Sequence, residues 1–363
     1  MLAVLFSCIE PYNPPAITEL VDLLVVDGFI NTSDSSATVR LTKASALSEE
    51  GGAIPEINAS VFIEDEIGNS FDLTEKEEGN YFISKGLFAS SRKYRVVIAT
   101  RSNKNYFSDF IDLKTTPPID SINWRPSFQD RGIDIFVNTH DDEDKTRYYQ
   151  WTFDETWEYT AKYPSAFRVS NGVVLPLEES IYRCWISKPS TEIHIASNNQ
   201  LTEDIIKDFR LVFIPIPSQK VMQKYSILVK QRALTKEAYD FYTQLKKSTE
   251  SLGGLFDPMP SQVLGNIHAE NPDEPVLGYF GGGEVREKRK FIQFSDLPID
   301  LREYLLIGCP IDSIPLARIS VQSDVVLINS YGSPGIIGYT TSPYKNCMDC
   351  RDDGGQLVRP DFW

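Results

Sequence analysis

The chain has 363 residues, 41% hydrophobic and 24% charged, which is enough for about two domains with buried cores and too apolar for general disorder. Its 36 Lys and Arg against 51 Asp and Glu leave a formal charge of -15, which argues against nucleic acid as a partner because phosphate contacts need basic surface. Five cysteines are an odd number, so in an oxidising compartment at least one lacks an internal partner.

The chain opens with the apolar run Met1 to Phe6, then a small residue, Ser7, and Cys8. Leu5, Phe6, Ser7 and Cys8 fit a bacterial lipobox. There the signal peptidase needs an extended apolar segment with a small residue at the cut, and the thiol of the new first cysteine carries the lipid. The basic segment and most of the apolar stretch of a secretory signal are missing, so residues 1–22 read as a truncated signal, lipobox and tether. The competing reading is an apolar strand with an incidental cysteine. Pro11, Pro14 and Pro15 make the tether extended and stiff. No later stretch holds about 18 uninterrupted apolar residues, so the expectation is a chain anchored to a membrane by lipid on Cys8 rather than spanning it.

From 23 to 117 the chain reads as strands: Leu24–Ile30, Ala37–Leu41, Ala59–Ile63, Ser70–Leu73, Tyr81–Ile83, Tyr94–Ile98 and Ser108–Leu113. Turn signals at Ile67-Gly68-Asn69 and Glu78-Gly79-Asn80 separate them. About seven short strands over about ninety residues predict an immunoglobulin-like β-sandwich, without the Cys-Trp-Cys core of antibody domains. Pro117-Pro118 marks the boundary, since paired prolines stop both helix and central strand.

Residues 118–363 predict a larger β-rich domain, so the fold class is mainly β. Strands are expected at Ile133–Val137, Tyr148–Phe153, Leu211–Ile214 and Tyr225–Val229. Two helices are expected within it, near 202–209 with Thr202 as N-cap and near 235–250, where Ala238, Phe241, Tyr242 and Leu245 recur at helical spacing. Strands at Val276–Phe280 and Lys290–Phe294 flank Gly281-Gly282-Gly283 and suggest a hairpin or a bulged connection. The aromatics Trp151, Trp157 and Trp185 suit a sugar site in principle, but strands favour aromatic residues for packing, and core packing is the better reading.

No reaction centre is legible. His140, His194 and His268 lack zinc spacing, and Cys347-Met-Asp-Cys350 has neither a second CxxC nor a nearby histidine. The glycine run lacks the lysine and hydroxyl of a phosphate loop, and Gly332-Ser333-Pro334-Gly335 is not a nucleophile elbow. Asp141, Asp142 and Asp144 form a weak calcium candidate, set against a solvated acidic turn. Asp154, Glu155 and Glu158 are carboxylates of the kind that cleave glycosides, if their separation in space allows.

Several segments carry a resemblance: Cys8-Ile-Glu-Pro-Tyr12, Leu24–Asn31, Tyr148–Trp151 with Glu155–Glu158, and Gly254–Pro258 with Gly265-Asn-Ile267. Gly278-Tyr-Phe280, Cys347–Arg351 and Pro360–Trp363 complete them. Together these resemble a family of Bacteroidota lipoproteins known as domain of unknown function 4249. The resemblance implies Cys8 as the lipid site and no catalytic residues. It also implies a place beside a TonB-dependent outer-membrane receptor of the SusC type.

The expected function is a surface-exposed outer-membrane lipoprotein, an accessory subunit of such a transporter or a related β-barrel complex and not an enzyme, with no cofactor beyond the lipid. A stand-alone glycan- or peptide-binding lipoprotein is the alternative, with a hydrolase behind it. With Cys8 given to lipid, Cys184, Cys309, Cys347 and Cys350 form an even set with three possible pairings. The preferred ones join Cys309 to one of the CxxC pair and Cys184 to the other.

Overall fold

The computed structural model of the protein describes residues 23–44, 53–199, 205–250, 265–302, 308–321 and 325–363. The strands β1 to β9 are Leu24–Asn31, Ser36–Lys43, Ile54–Pro55, Ser60–Asp65, Ser70–Glu77, Asn80–Ile83, Lys93–Ala99, Asn105–Ser108 and Ile111–Asp112. β10 to β18 are Ile119–Ser127, Gly132–His140, Tyr148–Thr160, Phe167–Ser170, Val173–Pro176, Arg183–Pro189, His194–Ser197, Ile205–Pro215 and Lys224–Ala233. The helix α1 spans Lys236–Glu250, and β19 to β25 are Ile267–Ala269, Val276–Gly283, Arg286–Gln293, Asp312–Pro315, Val325–Leu327, Ser330–Tyr331 and Gly338–Thr341. The architecture is mainly β.

Two compact units divide the chain, one holding residues up to Lys114 with Thr243–Glu284, the other Thr115–Tyr242 with Val285–Trp363. The first crossing lies close to the boundary expected at Pro117-Pro118. The undivided domain expected over 118–363 is corrected, because β19 and β20 belong to the sheet of the first unit.

In the first unit eleven strands form one ladder in the order β19-β8-β7-β4-β5-β6-β2-β1-β20, with β3 on β2 and β9 on β7. Sequence alternation builds it: along β4 and β7 the residues Val61, Ile63, Val96 and Ile98 point inward and are buried, while their neighbours are not. They share one buried cluster with Val26, Ile30, Val39 and Leu41 of β1 and β2, each such side chain contributing about 1.5–3 kcal/mol on burial. The Tyr94 hydroxyl, at the start of β7, accepts from the backbone N–H of Ala89 five residues upstream, at 2.7 Å. This resembles the tyrosine corner of immunoglobulin-like sandwiches.

β20 is the strand that local reading misplaced. It is not half of a hairpin with β21; it pairs in parallel with β1, whereas β21 pairs antiparallel with β18 in the other unit. Close approach requires its glycines. Gly278 has φ of +125°, and a Cβ there would lie 1.8 Å from the Val26 carbonyl oxygen.

The second unit is built on a three-stranded sheet, β10-β11-β17, and a five-stranded one, β15-β12-β18-β21 with β16 on β12. Ile133, Ile135 and Val137 of β11 share a buried cluster with Trp151, Phe153, Tyr225, Ile227 and Val229 of β12 and β18. The helix expected near 202–209 is also corrected over its described part, Thr202 itself lying outside the described residues. From Ile205 the chain is strand β17, paired with β11, and Asp208 takes φ of +52° with its N–H bonded to Asn138 Oδ1 at 2.7 Å. Pairing with a formed strand and β-branched Ile205 and Ile206 outweigh the helical cap signal. The helix expected at 235–250 is present as α1, capped by Thr235 Oγ1, which accepts from Ala238 N–H at 3.1 Å.

Candidate functional site

The four later cysteines converge on the second unit. Cys184 on β15 bonds Cys350, and Cys309 bonds Cys347. The two cysteines of the CxxC therefore reach different partners, which excludes a redox pair closed on itself and a shared zinc site. Cys184, Cys347 and Cys350 are buried. Around the first bridge, Trp185 and Gln356 exchange backbone hydrogen bonds at 2.9 Å each, and Cys350 N–H donates to Ile181 O at 3.0 Å. The bridges close loops of 166 and 38 residues, worth about 5 and about 4 kcal/mol in the chain-entropy account.

Beyond the bridge the chain runs back over the outward face of the five-stranded sheet. Trp363 Nε1 donates to Glu158 Oε2 at 2.9 Å, and its ring meets Phe291 edge-on at 5.8 Å. Lys224 Nζ stands 4.7 Å from the Trp363 centroid, and the Arg289 guanidinium lies 3.5 Å over Phe362. This clamp was not legible, because the partners of Phe362 and Trp363 lie about seventy or more residues upstream. Only the aromatic pair at the end of a polar stretch signalled it.

Strand alternation separates the carboxylates that sequence places together. Asp154 pairs with Lys230 at 2.8 Å and Glu158 with Arg183 at 3.2 Å. Glu155 points the other way and is buried. Its carboxylate accepts from the Tyr225 hydroxyl at 2.7 Å and from Lys220 Nζ at 2.6 Å. Burial, then the Glu155 charge, holds the Tyr225 hydroxyl well above the ordinary tyrosine value, so it stays a donor. Lys220 also lies 5.5 Å from the Trp157 ring. The result is a closed, charge-balanced network with each carboxylate already engaged.

Trp151 and Trp157 are core residues, at 0% and 4% exposure. Trp151 stacks on Phe209 at 4.6 Å and donates to Gln231 Oε1 at 2.8 Å. Trp185 is half-buried. The three do not form an exposed aromatic platform. In the acidic loop, Asp141 accepts from the backbone N–H groups of Glu143, Lys145 and Thr146. Asp142 faces His140 at 3.2 Å and Asp144 faces Arg147 at 2.9 Å. These carboxylates are thus drawn to separate partners, and among the described residues no group of three or more metal-ligating side chains gathers. Cys8 lies outside the described residues.

A family model described as Domain of unknown function (DUF4249) matches residues 9–289. No curated protein matches. Among solved structures, the selenomethionine-substituted chicken interferon gamma receptor alpha chain is 13% identical, with a TM-score of 0.17. The match covers 59% of this chain and 89% of that one, and the score is too low to carry an argument.

Proposed function

The chain belongs to the family described as domain of unknown function DUF4249, and on that premise we propose that it is a lipid-anchored outer-membrane protein exposed at the cell surface. There it serves as a non-enzymatic accessory subunit of a β-barrel transporter of the TonB-dependent, SusC type. The observation that carries this reading is the cysteine arithmetic. Two bridges use Cys184, Cys350, Cys309 and Cys347, so of the five cysteines the one left over is Cys8, within the lipobox Leu5 to Cys8. Disulfides persist in oxidising compartments, which agrees with a place outside the cytoplasm. A charge of -15 opposes adhesion to anionic lipid surfaces, so the acyl chains supply the anchor. The engaged carboxylates around β12 support a role in binding and assembly rather than catalysis.

The test has two arms. Cys8→Ala is expected to move the protein from the membrane to the soluble fraction, and membrane retention of that variant would overturn the anchor. Affinity purification of the tagged wild-type chain from detergent-solubilised outer membranes is expected to recover a β-barrel protein; recovery without any barrel would overturn the accessory role.

A further inference from the structure

One face of the first unit has an unusual composition. Register places Phe62 of β4 opposite Val97 of β7, Val97 opposite Phe107 of β8, and Phe107 opposite His268 of β19. These four side chains therefore form a row across four strands. Their sequence neighbours Val61, Ile63, Val96, Ile98, Tyr106 and Ile267 fill the core, so the row points outward. Phe62, Val97 and Phe107 remain partly exposed, and Phe110 beside them is 41% exposed. The Arg95 guanidinium, paired with Glu64, stacks 5.7 Å from the Phe107 centroid and 4.9 Å from that of Phe110. The His268 ring lies 5.9 Å from Phe107. The outward face of an antiparallel sheet is ordinarily polar, and aromatic residues with arginine are the composition of interface centres.

We propose that this outward face of β4, β7, β8 and β19 is a docking surface for a protein partner whose contact area is apolar at its centre and basic around it. The charge around the row selects that chemistry. Around the row stand the carboxylates Glu64, Asp72, Asp109 and Asp112 against the cations Arg95, paired with Glu64, and Lys93, paired with Asp112 at 3.7 Å. Asp109 holds His268 at 2.9 Å, so the excess charge is acidic and centred on Asp109 and on Asp72, opposite Phe62. All three aspartates are exposed. A second copy of a chain carrying -15 meets this acidic rim with repulsion, whereas a basic rim gains steering and register. The inference rests on the accessory-subunit reading and names the face through which it acts.

The test uses the full lipidated chain in its native outer membrane, with p-benzoylphenylalanine placed at Phe62 or Phe107, and at the exposed residue Arg40 of β2 as control. Irradiation and denaturing purification are expected to yield adducts with the co-purifying β-barrel protein from positions 62 and 107 and none from 40. Barrel recovery by the wild-type chain with adducts only at 40, or none, overturns this face while leaving the accessory role intact. Adducts to a second copy, to lipid or within the chain overturn it too. Failure of the wild-type chain to recover any barrel overturns the accessory role itself, and this assignment with it. As an independent measurement, the double variant Phe62→Asp, Phe107→Asp is expected to lower barrel recovery at least tenfold with a melting temperature within a few degrees of wild type. Undiminished recovery by the folded variant overturns the proposal.

Discussion

Asn266 binds both backbone polar groups of Phe280: its Nδ2 donates to the Phe280 carbonyl at 2.8 Å, and its Oδ1 accepts from the Phe280 N–H at 2.8 Å. Both residues are buried, and Phe280 stands opposite Gly28 in the parallel pairing of β20 with β1. One side-chain amide thus does for β20 what a further strand would do. Two of the segments that carry the family resemblance, Gly265-Asn-Ile267 and Gly278-Tyr-Phe280, meet in this contact.

Replacing Asn266 with Ala leaves two buried backbone groups without their partner, at about 1–3 kcal/mol each. The expected outcome is a loss of about 2–6 kcal/mol, measured by denaturant unfolding followed by circular dichroism. Asn266→Asp is expected to lose stability as well, because a carboxylate accepts from the N–H but cannot donate to the carbonyl. Unchanged unfolding of both variants would show that the contact adds nothing.

Non-reducing peptide mapping is expected to recover Cys184 with Cys350 and Cys309 with Cys347. A peptide closed between Cys347 and Cys350 would contradict the pairing. Cys184→Ser with Cys350→Ser removes the longer loop constraint and is expected to cost up to about 5 kcal/mol. The shorter bridge, treated likewise, is expected to cost about 4 kcal/mol or less.

Acid is expected to weaken the first unit through Asp65. Burial by itself raises the pKa of its carboxyl, but the Asn69 side chain, the Asn69 N–H, Arg92 and the Ile67 N–H all donate to it and bring the pKa down to about 2 from 3.8. A group depressed in the folded state stabilises fully above its unfolded value, and that contribution fades as the pH falls through the folded one. The loss therefore falls between about pH 4 and pH 2. Asp65→Asn is expected to melt lower at neutral pH and to depend less on pH across that window. An unchanged acid limb in a melting-temperature series would refute this.

Lys220→Met strands the buried Glu155 carboxylate with Tyr225 as its sole remaining partner among the contacts described above. Leaving a buried charge uncompensated costs about 3–5 kcal/mol. The double variant Lys220→Met, Glu155→Leu is expected to recover most of that loss, because it removes the charge along with its partner. A double variant no more stable than the single one would show that the network does not act as a pair.

The strands β1, β2 and β4 to β7 and the helix α1 were legible because each depends on local information. Alternation over five to eight residues sets which side chains face the core, and Thr235 with an apolar spacing of three and four sets the helix. Asp154 and Glu155 were legible as acids, yet only pleating decided that they face opposite ways. The parallel pairing of β1 with β20 joins segments some 250 residues apart, and no local pattern encodes a partner at that distance. Its glycines read as a hairpin because their role depends on the Val26 carbonyl lying against Gly278. Likewise the cap signal at Thr202 predicted a helix through Phe209, but from Ile205 onward pairing with β11 made the chain a strand. The sequence by itself determined which residues prefer to be extended and which face inward. The tertiary structure alone decided which strands meet, which cysteines bond and which face the row from Phe62 to His268 occupies, because those depend on contacts made only when distant segments come together.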